Sequence, residues 1–358
     1  MPDFLPGVQL ARHYYFEAVR PLLGGLPHAA ARLGPGSDVL GFDTARSTDH
    51  DWGPRLELFV DHPGDLRDML TRRLPKSIRG WPTHFVPPGA RVRSMQPTDG
   101  PVDHYIQILS FPAWSRDLLG FTPTGDVRPL DWLGAPWQRF AEFTGGAVFH
   151  DPDRLLTTAR ARLTWYPPDL WRYVLACQWR RIDQEEPFPA RAAEAGDELG
   201  ARVLTARLCR DVARLLLLQQ RRWPPYSKWL TRALPPGPAT DSLLAALHAT
   251  TTRDRENALC TALEHAATRQ NELGLSAEQP PIRREFFDRG YAVIGAARYA
   301  DALRDAITDP ALRALPFTGC ADQIIDNTEV LVDAHLTRAV VATTLTPPSN
   351  GGERAPQP

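Results

Sequence analysis

The sequence predicts an α+β protein, with a mixed sheet and helices over residues 1–151 and an all-helical region over 152–345. Three observations predict it. Strand-like alternation is confined to the first part, in Leu56-Glu57-Leu58-Phe59-Val60 and in Val102 to Leu109, where Tyr105 and Gln107 alternate with His104, Ile106 and Ile108. Beyond residue 152, the stretches 153–165, 168–183, 190–222 and 252–272 carry apolar residues at helical spacing. Pro167-Pro168, Pro187-Phe188-Pro189 and Pro224-Pro225 fall between those stretches, where helices start or stop.

The elements follow in chain order. Val8, Ala11, Tyr15, Val19 and Leu22 recur near helical spacing and predict a helix over 7–24. His28 to Leu33 is short and apolar, which suits a strand that delivers the turn Gly36-Ser37. Asp49 to Val60 reads as a second strand and Asp65 to Leu74 as a helix. Residues 81–101 are rich in Pro and Gly and read as loops with one short strand. Val102 to Leu109 is a strand, 112–120 and 130–143 are helices, and Ala147 to His150 is an edge strand. Residues 346–358, from Thr346-Pro347-Pro348 onward, read as a disordered tail.

The composition narrows the function. The 358 residues suggest two domains, and 43% hydrophobic content with ten Trp is ample for packed cores. Lys+Arg 41 against Asp+Glu 42 leaves no polybasic surface and argues against a long polynucleotide substrate. Cys177, Cys209, Cys260 and Cys320 are scattered without a Cys-x-x-Cys pair, which suits free thiols in a reducing cytoplasm rather than a zinc ribbon. Met1-Pro2-Asp3-Phe4 has neither the basic head nor the apolar core of a leader, and Leu215 to Leu218 is too short to span a membrane. A soluble cytoplasmic protein is expected. Among the cations only Lys76 and Lys228 are lysines, a bias of the kind a GC-rich genome imposes.

One region carries chemistry. Gly34-Pro35-Gly36-Ser37-Asp38-Val39-Leu40-Gly41 is followed by Phe42-Asp43-Thr44-Ala45-Arg46-Ser47-Thr48-Asp49-His50-Asp51. A Gly-Ser turn brings backbone N–H groups close to a phosphate because glycine has no Cβ to block the approach. In an extended segment Asp49 and Asp51 would share a face, with Cα atoms about 6.6 Å apart. Two carboxylates so placed can share two Mg²⁺ ions about 3.5–4 Å apart.

This arrangement resembles the nucleotidyltransferase superfamily, the fold of DNA polymerase beta and the aminoglycoside nucleotidyltransferases. Its pattern is Gly-Ser or Gly-Gly, about ten residues, then Asp-x-Asp/Glu on a strand, matched here by Gly36-Ser37 and Asp49-His50-Asp51. The longer string through Asp51-Trp52-Gly53-Pro54-Arg55, with Arg222-Trp223-Pro224-Pro225-Tyr226-Ser227-Lys228-Trp229-Leu230 and Phe286-Phe287-Asp288-Arg289, looks closest to the bacterial DUF4037-containing branch. The resemblance covers most of residues 10–340. It implies a nucleotidyltransferase-like domain over 1–151 and a DUF4037-like helical domain over 152–345.

The resemblance also implies roles. Asp49 and Asp51 would hold two Mg²⁺ ions, with Asp103 as third carboxylate and metal ligand if the strand register brings it opposite them. If Gln107 takes that place, the third ligand is neutral. Gly36 and Ser37 would cradle the phosphates of a nucleoside triphosphate. Lys228 is a candidate for the triphosphate, with Arg222 a weaker one; the plain alternative is a surface lysine beside core Tyr226 and Trp229. Asp197 and Glu198 read either as a general base or, better, as a helix cap. His50, Asp38 and Asp43 read as packed or capping residues. Trp165-Tyr166, Trp171, Trp223 and Trp229 read as core before they read as stacking partners.

The function so implied is Mg²⁺-dependent transfer of a nucleoside monophosphate from a triphosphate to a hydroxyl of a small-molecule acceptor, releasing pyrophosphate. The alternatives are a catalytically degenerate nucleotide-binding or regulatory protein, or a protein-modifying enzyme of a toxin–antitoxin-like pair, which leaves a protein partner open.

Overall fold

Strand residues lie almost entirely in the first half of the chain, and long helices fill the second, as the pattern of periodicities requires. The computed structural model describes residues 2–89 and 92–345; the predicted tail at 346–358 lies outside them. The chain divides into two compact units, Met1–Val127 with Gln138–Thr164, and Arg128–Trp137 with Trp165–Pro358. It therefore crosses between units more than once, and no single cut at 151/152 parts them. The reason lies in what Arg128–Trp137 touches. Asp131 pairs with Arg338 at 2.7 Å, and Trp132 lies against Tyr166 and Trp223, all within the second unit.

The first unit is built on a four-stranded sheet, whose strands we number β1 (Ala29–Arg32), β2 (Arg55–Phe59), β3 (Tyr105–Leu109) and β4 (Ala147–His150). Their spatial order is β3-β2-β1-β4. β1 runs antiparallel to β2 and β4, while β2 and β3 are parallel. A parallel pair needs a long connection. Here it holds the helix Leu66–Arg73 and two short ribbons. The predicted N-terminal helix is present as Gly7–His13, Tyr14–Val19 and Arg20–Leu23, consecutive segments with a wider π turn in the middle. Its Leu10, Tyr14, Tyr15 and Val19 are fully buried, in one core with Ala30 of β1, Leu56 and Leu58 of β2, and Ile106 of β3.

Alternation along β2 and β3 then puts Arg55 and Glu57, Tyr105 and Gln107 on the other face. The register pairs Arg55 with Tyr105 and Glu57 with Gln107. Phe59, at the far end of β2, packs edge-on against Phe111 and Trp114 of the helix Phe111–Leu119.

Three sequence expectations differ from the structure. Asp49 to Asp51 precede β2 and are not part of it. Ala45–Asp49 is a 3-10 turn capped by Thr44, whose N–H reaches Ser47 Oγ at 3.1 Å, and Asp51 (φ +47°) and Gly53 (φ +129°) break the extended path before Pro54. Residues 130–143 form two helices, Pro129–Gly134 and Trp137–Thr144, because Pro136 lacks the N–H that a continuous helix requires. Residues 190–222 form Phe188–Glu194 and Glu198–Gln219, parted at Gly196 (φ +79°).

The second unit is helical apart from the ribbon Arg284–Glu285 with Ala292–Val293. The helix Pro168–Asp183 packs against Glu198–Gln219 and Ala297–Asp305, and Thr252–Glu272 packs against Pro238–His248. Buried polar groups tie it together. Arg181 Nε meets Asp211 at 2.9 Å, Gln178 donates to the Asp211 carbonyl, and Trp179 donates to Gln270. No helix among the described residues is long and apolar enough to cross a membrane.

Candidate functional site

The turn after β1 and the loop before β2 meet at one end of the sheet, because β1 and β2 are antiparallel neighbours. What fills that end is a buried charge network centred on Arg32. Its Nε donates to Asp38 Oδ2 at 2.7 Å and its Nη2 to Asp38 Oδ1 at 2.9 Å, a two-pronged pair. Its Nη1 reaches Glu57 at 3.2 Å and the Leu33 carbonyl at 2.7 Å. Glu57 Oε2 also accepts the Leu33 N–H at 2.7 Å. Burial opposes the charges of Arg32 and Asp38, but each outweighs it for the other: the Arg32 guanidinium is held above its ordinary pKa and the Asp38 carboxyl below. For Glu57 burial prevails over Arg32 and raises the pKa.

Gly36 sits against this pair. A Cβ there would collide with Asp38 Oδ1 and Arg32 Nη2, so the glycine is required by the internal ion pair whether or not a phosphate approaches it. The N–H groups of Gly36 and Ser37 nonetheless have no acceptor among the described residues. Asp38, expected as a cap, is an ion-pair partner, and Asp43 accepts from the Gly7 N–H and Trp52 Nε1.

The loop with Asp49 and Asp51 is clamped to Arg93 and Ser94. Asp51 N–H donates to the Arg93 carbonyl at 2.8 Å, Arg93 N–H returns to Asp51 Oδ1 at 3.1 Å, and Ser94 Oγ donates to the Asp49 carbonyl at 2.9 Å. Tyr105 hydroxyl donates to Asp51 Oδ1 at 3.1 Å. Asp49 is 60% exposed, and His50 beside it reaches Asp49 Oδ1 through ring and backbone. Each aspartate therefore keeps Oδ2 without a hydrogen bond among the described residues.

The metal implied by the resemblance can be tested against these contacts. Asp103 lies before β3, and its Oδ2 meets Arg93 Nη2 at 2.7 Å, which neutralises it. Gln107 is the residue that faces Glu57 in the register. Among the described residues no group of three or more His, Cys, Asp or Glu is gathered as a metal site. A three-carboxylate set of Asp49, Asp51 and Asp103 is thus not formed. Asp49 and Asp51 each keep one carboxylate oxygen without a partner among the described residues, the hard oxygen ligand that Mg²⁺ takes.

Arg55, Glu57, Arg32, Arg93 and Tyr105 escaped the sequence reading. The available signal was charge inside an apolar run: Arg55 and Glu57 flank Leu56 and should have marked the second face of β2.

In the second unit Lys228 is exposed, with Nζ 4.8 Å from the Trp229 ring centre. Trp171, Trp223 and Tyr166 are buried together, as core. Asp197 caps Glu198–Gln219 by accepting the Gly200 N–H at 2.7 Å, and Glu198 pairs with Arg255 at 2.6 Å, which accounts for both acids without a catalytic role.

Residues 132–230 match the family DUF4037, a domain of unknown function. The match includes Trp223 to Leu230 but not Gly36, Ser37, Asp49 or Asp51. Among solved structures the chain is similar to a nucleotidyltransferase-like protein from Exiguobacterium sibiricum, at 14% identity and a TM-score of 0.33, over 94% of this chain and 91% of that one. No curated protein matches it significantly.

Proposed function

We propose that the first unit binds a nucleoside triphosphate together with Mg²⁺ and transfers its nucleoside monophosphate to a hydroxyl of a small acceptor. The observation that carries this reading is that the turn with the unpaired N–H groups of Gly36 and Ser37 and the loop with the free oxygens of Asp49 and Asp51 lie at the same end of the sheet. The turn takes phosphate oxygens, and the aspartates hold the cation. When bound, the cation neutralises charge on the phosphates, which is the larger part of catalysis in such transfers. The acceptor oxygen bonds to the α-phosphorus as the α–β bridging bond breaks. The electron pair leaves with pyrophosphate, and the hydroxyl proton passes to water. Arg93 and Tyr105 hold Asp51 in place, so its carboxylate need not reorganise.

Calorimetric titration of ATP, GTP, CTP and UTP with Mg²⁺ tests the reading. Metal-dependent binding of one triphosphate by the wild type, lost in Asp49→Asn/Asp51→Asn, is expected. Failure of every triphosphate to bind the folded wild type refutes it.

A second reading, a protein that binds nucleotide without transferring it, is favoured by the pairing of Asp103 with Arg93 and by Gln107 opposite Glu57. Fewer anionic ligands weaken a second metal. Binding with no pyrophosphate release in the presence of candidate acceptors would support that reading.

A further inference from the structure

Arg55 is the anomaly of the sheet. It is 9% exposed, yet no carboxylate of the described residues lies within 4.0 Å of its guanidinium, although Arg32 and Arg93 close by both have such partners. The two acids whose charges act on it, Asp38 and Glu57, are already paired elsewhere. Asp38 is held at both oxygens by Arg32, and Glu57, two residues along the same strand face, is taken by Arg32 and the Leu33 N–H. The guanidinium makes one hydrogen bond, from Nη1 to the Asp51 carbonyl, and lies 4.4 Å from the centre of the Tyr105 ring. Its other N–H groups have no acceptor among the described residues, and they are not among the atoms sealed from solvent. Asp38 and Glu57 therefore balance its charge only through space, and a buried guanidinium whose N–H groups lack acceptors is costly unless a ligand completes it. Burial, the largest influence on Arg55, lowers its pKa, with Arg32 adding to the effect and Asp38 and Glu57 opposing it.

We infer that Arg55 is an anion-binding residue, which takes a phosphate oxygen of the bound nucleotide with the N–H groups that the fold leaves unpaired. It rests on the proposed function for the identity of the ligand, but the anion site itself does not depend on the metal. A guanidinium offers two parallel donors to a phosphate, and here the fixed ring of Tyr105 and the Asp51 carbonyl hold it before the ligand arrives. Through its bond to the Asp51 carbonyl, the Arg55 guanidinium stands beside the loop that carries Asp51.

The test uses inorganic tripolyphosphate in EDTA, followed by calorimetry and by the shift in melting temperature. Wild type is expected to bind it, and Asp49→Asn/Asp51→Asn to bind at least as tightly, since two nearby negative charges are gone. Arg55→Gln, which keeps a donor for the Asp51 carbonyl, is expected to bind at least tenfold more weakly and, without ligand, to melt no lower than wild type. Unchanged binding by Arg55→Gln overturns the inference, as does a lack of tripolyphosphate binding by both wild type and the double variant. Should Arg55→Gln not fold, Arg55→Lys replaces it, with several-fold weaker binding expected and equal binding counting against the inference. Tripolyphosphate binding without metal-dependent triphosphate binding would leave Arg55 as an anion site and remove the transferase reading; the reverse result would remove Arg55 alone.

Discussion

Arg32 grips both oxygens of Asp38, six residues further on, across the turn that contains Gly36. The Gly-Ser turn is thus shaped from within. A buried bidentate pair folds the chain back on itself, and the glycine leaves room for it. The consequences can be measured.

Gly36→Ala should separate Arg32 from Asp38, because its Cβ enters the space between them. Breaking a buried pair of this kind costs about 3 kcal/mol. Thermal unfolding of the variant should begin several degrees below wild type. An unchanged melting temperature would show that the turn relaxes without disturbing the pair.

The same pair sets an acid limit. Burial works against the Asp38 charge, but Arg32 overcomes it, so the folded carboxyl titrates below its unfolded value of about 3.9. Between those two values the unfolded chain binds more protons, so Asp38 contributes stability above about pH 4 that is lost as the pH falls through the folded pKa. Denaturant titrations from pH 6 to pH 3 should show this loss, and Asp38→Asn should flatten it.

Tyr105→Phe removes the hydroxyl that donates to Asp51 Oδ1 while the Arg93 N–H remains. The expected cost to stability is about 1 kcal/mol. Metal-dependent triphosphate binding should weaken several-fold as Asp51 gains freedom. Binding identical to wild type would place Asp51 outside the ligand site.

All four cysteines are free and buried. Burial pushes the thiols of Cys177, Cys209 and Cys260 up to about 12, so thiolate is scarce at neutral pH. A thiol reagent such as dithionitrobenzoate should leave the native protein almost unmodified and label all four sites after denaturation. Rapid native labelling would reveal an opening of the second unit.

Much of the frame was legible in the sequence. Helical spacing marked the segment beginning at Gly7 and the helices Pro168–Asp183 and Thr252–Glu272, and alternation marked β3. Periodicity reports which side of an element is buried, and that property is local. The candidate site was legible only in part. Gly36, Ser37, Asp49 and Asp51 were visible as a motif, but the run through Asp49 to Val60 read as one strand, because local pattern does not register the positive φ of Asp51 and Gly53.

The sequence by itself determined the α+β class, the helical second part and the residues available for chemistry, since composition and spacing are properties of neighbours along the chain. The tertiary structure alone decided which charges meet. Arg32 is 25 residues from Glu57, and Arg93 is 10 from Asp103, yet each pair is closed by the sheet and its loops. Charge pairing depends on distance in space, which the fold sets and separation along the chain does not. For that reason the sequence offered Asp103 as a metal ligand and passed over Arg55, while the fold commits Asp103 to Arg93 and leaves Arg55 with N–H groups that have no acceptor among the described residues.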